Sequence, residues 1–307
     1  MSEWFDFITV PLSFGFMQRA LMASVLIGAV CSVLSCYLVL KGWSLMGDAI
    51  SHAVLPGIVL AYVAGLPLSV GAFIAGLTWA GLTGYLKENS RVKEDTVMGI
   101  VFSGMFGFGL VLFTKIQTEQ HLDHILFGNL LGVSVSDLIE TAVIAGGTFL
   151  IVALKWRDLL LYCFDPQHAR AIGLPVRVIH YGLLVLLALT IVTSLKAVGI
   201  ILVVAMLVAP GAIAFLLTTN FARMLVVAAV VAIGSCITGT LISFHIDGAT
   251  GPCIVLTQSA VFILAFLFGH RGVLKTRQTI QRELRNAAEQ PSANPLTEAG
   301  ERRSSAS

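Results

Sequence analysis

The sequence predicts an all-α fold: a polytopic membrane helix bundle of eight or nine transmembrane helices, with the N-terminus outside and the C-terminus inside. Three observations carry this. Of the 307 residues, 57% are hydrophobic and 12% are charged, about half the charge usual for a soluble domain. Long apolar runs recur through the first 270 residues, each near the roughly 20 residues that a spanning helix needs. The basic residues, finally, fall unequally on the two sides of those runs.

The first span is expected at 16–38. It follows Met1-Ser2-Glu3-Trp4-Phe5-Asp6, which has no basic n-region, and no cleavage site follows, so it reads as a retained helix rather than a signal peptide. The second, 49–64, is short and contains Pro56-Gly57, which predicts a broken or kinked helix; if it is re-entrant, nine spans become eight. Irregular backbone at membrane depth is tolerated where protein buries it or a water-filled cavity adjoins it. The third to fifth spans are expected at 67–86, 97–114 and 137–155, and the sixth to ninth at 178–195, 198–218, 224–243 and 251–269. Small residues four apart, Gly99, Ser103 and Gly107 and then Ser235, Gly239 and Ser243, allow helix backbones to approach closely.

With the N-terminus outside, the inner segments before the tail carry Lys41, Lys87, Arg91, Lys93, Lys155, Arg157, Arg170, Arg177 and Arg223, and the outer ones only Arg19, Lys115 and Lys196. That asymmetry obeys the positive-inside rule. Lys196, at the outer end of the sixth span, is expected to snorkel to the interface. The chain divides into a transmembrane domain, 1–270, and a polar cytoplasmic tail, 271–307, expected to be partly disordered, whose basic residues suit weak contact with lipid headgroups. Cys31, Cys36, Cys163, Cys236 and Cys253 are scattered without a Cys-x-x-Cys pair and read as small hydrophobes. No nucleic-acid motif is present.

Between the fifth and sixth spans, Asp165-Pro166 opens a segment, Ala169 and Arg170 lie in its middle, and Gly173-Leu174-Pro175 closes it. This pattern predicts one short capped helix, either a docking element or a solvated connector. The chain has no Gly-x-x-x-x-Gly-Lys-Ser/Thr phosphate loop, so any ATP energy must come from another subunit. Neither a Gly-x-Ser-x-Gly elbow nor a His-Glu-x-x-His pair appears, which removes the case for a membrane hydrolase.

The strongest functional clue is Asp48 and His52, an acid and an imidazole one helical turn apart inside an apolar stretch. Counting inward from Lys41 at 1.5 Å per residue places His52 roughly 16 Å deep, near the bilayer midplane. Such groups are costly in lipid and mark ion or substrate paths; a buried acid–imidazole packing pair is the plainer reading. One carboxylate and one imidazole suit a borderline divalent cation such as Mn, Fe or Zn, and two copies across a dimer axis would supply four ligands. Candidate additional path residues are Met206, a soft thioether before Pro210-Gly211 that plain packing also explains, and Asp247, at the outer end of the eighth span, which also suits a cap or turn. The outer-loop histidines His121 and His124 are further metal donors without an assigned function.

The run from Lys41-Gly42-Trp43-Ser44-Leu45-Met46-Gly47-Asp48 through His52 to Pro56-Gly57 resembles the membrane permease subunits of bacterial metal-cation ABC importers for manganese, iron and zinc. Asp165 to Pro175, Lys196 to Pro210, and Thr250-Gly251-Pro252 match the same family in the same order, so the likeness spans roughly residues 15–270. It implies a multi-pass subunit of the bacterial cytoplasmic (inner) membrane without its own ATPase site or cofactor. Its implied partners are cytoplasmic ATP-binding subunits, a second permease, identical or paralogous, and an extracytoplasmic metal-binding protein. Asp48 and His52 fall on the family's metal-path motif, and Asp165, Pro166, Ala169, Arg170, Gly173, Leu174 and Pro175 look like its coupling helix. The wording around Gly47-Asp48 resembles the manganese and iron branch more than the zinc branch. The alternative is a proton-coupled secondary metal transporter in which the pair exchanges protons.

Overall fold

The computed structural model describes residues 9–43, 45–115, 128 and 130–269. The outer-loop histidines His121 and His124, His270 and the tail 271–307 lie outside the described residues. Regular structure within them is entirely helical: α1 (Gly15–Lys41), α2 (Met46–Ala53), α3 (Leu55–Val63), α4 (Leu68–Asn89), α5 (Glu94–Lys115), a 3-10 turn (Leu130–Gly132), α6 (Val135–Phe164), α7 (Pro166–Ala171), α8 (Val176–Leu217), α9 (Phe221–Ile246) and α10 (Thr250–Phe268).

Counting α2 and α3 together, eight described helical segments are long and apolar enough to cross a membrane. The sixth and seventh expected spans are joined in α8, 42 residues long, which breaks at Gly199 (φ 77°, ψ 169°). That backbone region is essentially reserved for glycine. Before the break, α8 runs antiparallel to α4, Tyr181 lying at Gly84 and Ala188 and Val192 at Gly76. After it, α8 runs alongside α1 in the same sense, Met206 lying at Gly28 and Ser35 at Gly211. His180, near the start of α8, packs on Trp43, and the segment following α8 shares a cavity with Leu40. Both ends of α8 therefore lie at the Lys41 end of the bundle, and α8 runs along the bundle out and back about Gly199.

The expected break in the second span is real and falls at Val54, which closes α2 and opens α3. Pro56 occupies the first turn of α3, where a missing N–H is tolerated. Gly57 meets Gly71 backbone to backbone; a Cβ on either would strike the other's carbonyl oxygen. Gly57→Ala is expected to destabilise the protein by about 1–3 kcal/mol through overpacking. Thermal unfolding of the detergent-solubilised protein checks this, and an unchanged midpoint would contradict the close approach.

The second proline break is repaired from a neighbour. Pro210 lies inside α8 and cannot donate to the helical ladder. The buried Ser35 hydroxyl donates to the Val208 carbonyl at 3.2 Å and accepts from the Gly211 N–H at 2.9 Å. The fifth expected span continues past residue 155, because α6 kinks at Lys155 (φ −110°, ψ 15°) and carries its apolar pattern on to Phe164.

The two small-residue stripes have different fates. Gly239 packs against the backbone of Ile254, and the Ser243 hydroxyl donates to the Gly248 carbonyl at 2.6 Å, joining α9 to α10. Gly99 and Gly107, by contrast, have open space where a Cβ would stand, and Ser103 is exposed. Lys196 does not only reach toward an interface: its Nζ lies 3.0 Å from Glu140 Oε2 on α6. All five cysteines are buried and free.

Candidate metal path

Helix α2 has eight residues, and Met46, Gly47, Ala49, Ile50, Ser51 and Ala53 are buried. The two that remain open are Asp48 and His52, whose side chains keep 46% and 24% of their surface. The apolar and small residues thus hold α2 in the bundle, and the polar pair contributes the open face. Gly47 packs on Leu207, and the adjacent Met206 reaches Gly28, midway along α1. The pair accordingly lies near the middle of the bundle's long axis.

His52 Nδ1 lies 3.0 Å from the Asp48 carbonyl oxygen and 3.3 Å from Asp48 Oδ1. Both atoms are acceptors, so a neutral His52 carries its proton on Nδ1 and directs the lone pair of Nε2 outward. Metal-binding histidines take this form, with the second nitrogen donating to a carboxylate or carbonyl. His52 Nε2 and Asp48 Oδ2 are then the remaining lone-pair atoms of the two side chains. Phe106 and Phe102 of α5 stand edge-on to the imidazole at 5.2 and 5.9 Å between centroids, and fix its plane from the side. Sequence reading passed over these phenylalanines; their i, i+4 spacing in the fourth span was the available signal.

No group of three or more His, Cys, Asp or Glu side chains that could hold a metal occurs among the described residues. Met206 and Asp247 are not brought to the pair. Met206 is 1% exposed and its Sδ accepts from Gln258 Nε2 at 3.0 Å, inside the core. Asp247 terminates α9 in the left-handed conformation (φ 52°, ψ 40°) and is exposed at the Lys196 end.

The short helix α7 forms where the sequence places it. Asp165 caps it, Oδ1 accepting from the N–H groups of Gln167 and His168 at 2.9 and 3.0 Å, and Pro166 opens its first turn. Its far end closes with Gly173 at φ 85° and the bonds Leu174 N–H to Ala169 and Gly173 N–H to Arg170, the Schellman arrangement. Ala169 is wholly buried, whereas Gln167, His168 and Arg170 are exposed, and Phe164 and Ile172 add large apolar surface beside them.

Comparison with known proteins follows the same lines. The profile of the ABC 3 transport family matches residues 13–269. The chain is 64% identical over 278 residues to the chelated iron transport system membrane protein YfeD of Yersinia pestis, covering 91% of this chain and 94% of that protein. It is 50% identical to the manganese transport system membrane protein MntB of Synechocystis sp., covering 86% of each. Among solved structures, PsaBC from Streptococcus pneumoniae in complex with Fab matches with a TM-score of 0.78 and 37% identity, over 89% of this chain and 99% of that one.

Proposed function

Because this chain belongs to the ABC 3 transport family, we propose that it is the permease subunit of an ATP-driven importer. It carries a divalent transition metal, manganese before iron and iron before zinc, from the periplasm or cell exterior into the cytoplasm. The observation that carries this reading is the open Asp48–His52 pair, with Nδ1 held by acceptors and Nε2 left for a cation. Relatives named for manganese and for chelated iron transport support the choice of cargo.

Two donors per chain make half a site, and a second permease, identical or paralogous, completes it. The open stripe of Gly99, Ser103 and Gly107 runs beside Phe102 and Phe106, which touch His52, so a second permease packed there would bring its own pair close. Two carboxylates and two imidazoles suit Mn, Fe or Zn. Transport also requires release, so a site assembled and parted across an interface serves better than a closed four-ligand cage.

The chain lacks a phosphate loop, so ATP is bound by partner subunits. We place the Lys41 end of the bundle in the cytoplasm, where α7 acts as the coupling helix: Asp165, Pro166, Gly173, Leu174 and Pro175 shape it, Ala169 seats it, and Arg170 faces the ATPase. The opposite end receives an extracytoplasmic metal-binding protein, and the membrane is the bacterial inner membrane. Membership of an ABC family sets the proton-coupled secondary transporter aside.

The test is uptake of radioactive manganese by the complete complex in vesicles, with and without ATP, under competition by iron and zinc. The expected result is uptake that requires ATP and is competed by iron more strongly than by zinc. Uptake indifferent to ATP would overturn the importer.

A further inference from the structure

Four side chains at the Lys41 end are tied together across three otherwise separate parts of the chain. The Tyr162 hydroxyl and His180 Nδ1 share a hydrogen bond of 2.7 Å. Tyr162 lies three residues before the Asp165 cap and His180 five residues after Pro175, so this bond joins the helix that enters α7 to the helix that leaves it. Trp43 packs edge-on against the His180 ring at 5.6 Å. Lys41 Nζ sits 4.2 Å from the centroid of the Tyr162 ring and 5.7 Å from that of Trp43. Trp43 and Tyr162 are 2% and 3% exposed.

Trp43 is fixed to the backbone on both sides. Its N–H donates to the Leu38 carbonyl at 2.8 Å, closing α1 through Gly42 (φ 76°), and its carbonyl accepts from the Met46 N–H at 3.2 Å, at the first turn of α2. Displacing the roots of α7 therefore moves the His180 ring, the ring moves Trp43, and Trp43 pulls on the turn that starts the helix of Asp48 and His52. Packed side chains and hydrogen bonds joined in this way are what carry coupling between distant sites.

Resting on the function proposed above, we propose that Trp43, Tyr162, His180 and Lys41 are positioning residues that transmit movement of the coupling helix to the metal pair. None of them touches the cation. The cluster's work is to make opening of the Asp48–His52 site conditional on what the ATPase does at α7.

The test measures manganese uptake and phosphate release together in vesicles containing the complete complex, with manganese binding to the same complex measured at equilibrium. Tyr162→Phe keeps the ring beneath Lys41 and removes only the hydroxyl. The expected result is that manganese moved per ATP hydrolysed falls by up to about tenfold, the size of one lost hydrogen bond, while hydrolysis and manganese binding are retained. His180→Gln, whose amide oxygen can accept from Tyr162, should keep more of that ratio than His180→Ala. A ratio unchanged in Tyr162→Phe and His180→Ala, or uptake and hydrolysis falling in proportion in both, overturns the link alone. A wild-type complex without ATP-driven uptake overturns the function on which it rests.

Discussion

Replacing either Asp48 or His52 with alanine is expected to abolish manganese accumulation while the transport complex still assembles. His52→Ala removes Nε2, the ring nitrogen left for a cation, and Asp48→Ala removes a carboxylate donor and one of the two acceptors facing Nδ1, leaving the main-chain carbonyl in place. Even the loss of a partner that only orients a metal-bound histidine costs about 10–100-fold in affinity or activity. Loss of a donor from a site with two donors per chain should exceed about 100-fold in uptake on the same scale. Assembly survives because the pair does not hold α2 in place; the six buried residues of that helix do. The measurement is radioactive manganese uptake in cells, alongside the amount of complex recovered on a tag. Wild-type uptake by both variants would sink the assignment of the pair.

The same pair shows what the sequence made legible. Period and spacing placed Asp48 and His52 on one helical face, because adjacency at i and i+4 is a local property of any α-helix. The break near Pro56 and the caps of α7 were legible for the same reason: proline, an Asx cap and a terminal glycine act within one turn. The apolar runs 178–195 and 198–218 also followed from hydropathy, although they join in one helix and only Gly199 turns it back.

What the sequence withheld lies between elements. Lys196 was expected to reach for an interface, but Glu140, 56 residues away, supplies its partner. His180 carried no assignment because nothing near it in the chain announces Tyr162 or Trp43. Met206 read as core packing or as a thioether toward a pore, since its position before Pro210-Gly211 says where the helix is irregular but not which way a side chain turns. Its sulfur receives Gln258 in the core. The open stripe on α5 teaches the converse: small residues at four-residue spacing mark a surface built for close approach, yet the partner need not belong to the same chain.

Ala169→Asp is expected to uncouple the permease from its ATP-binding subunits. Among the four central residues of α7, Ala169 alone turns inward: it is wholly buried, while Gln167, His168 and Arg170 are exposed. An unpaired charge at that seat costs about 3–5 kcal/mol, and relief comes most easily by lifting the six-residue helix off the bundle. Arg170, Phe164 and Ile172 would then no longer be presented together. At about 1.4 kcal/mol per tenfold change, the lost association exceeds roughly 100-fold, so the ATP-binding subunits should fail to co-purify and ATP-dependent uptake should vanish. Arg170→Glu reverses the charge of the exposed face without touching the seat and should weaken co-purification while the permease retains its thermal unfolding midpoint. Retention of the ATP-binding subunits at wild-type level by both variants would remove α7 from the interface, since one variant displaces the helix and the other changes only what it shows.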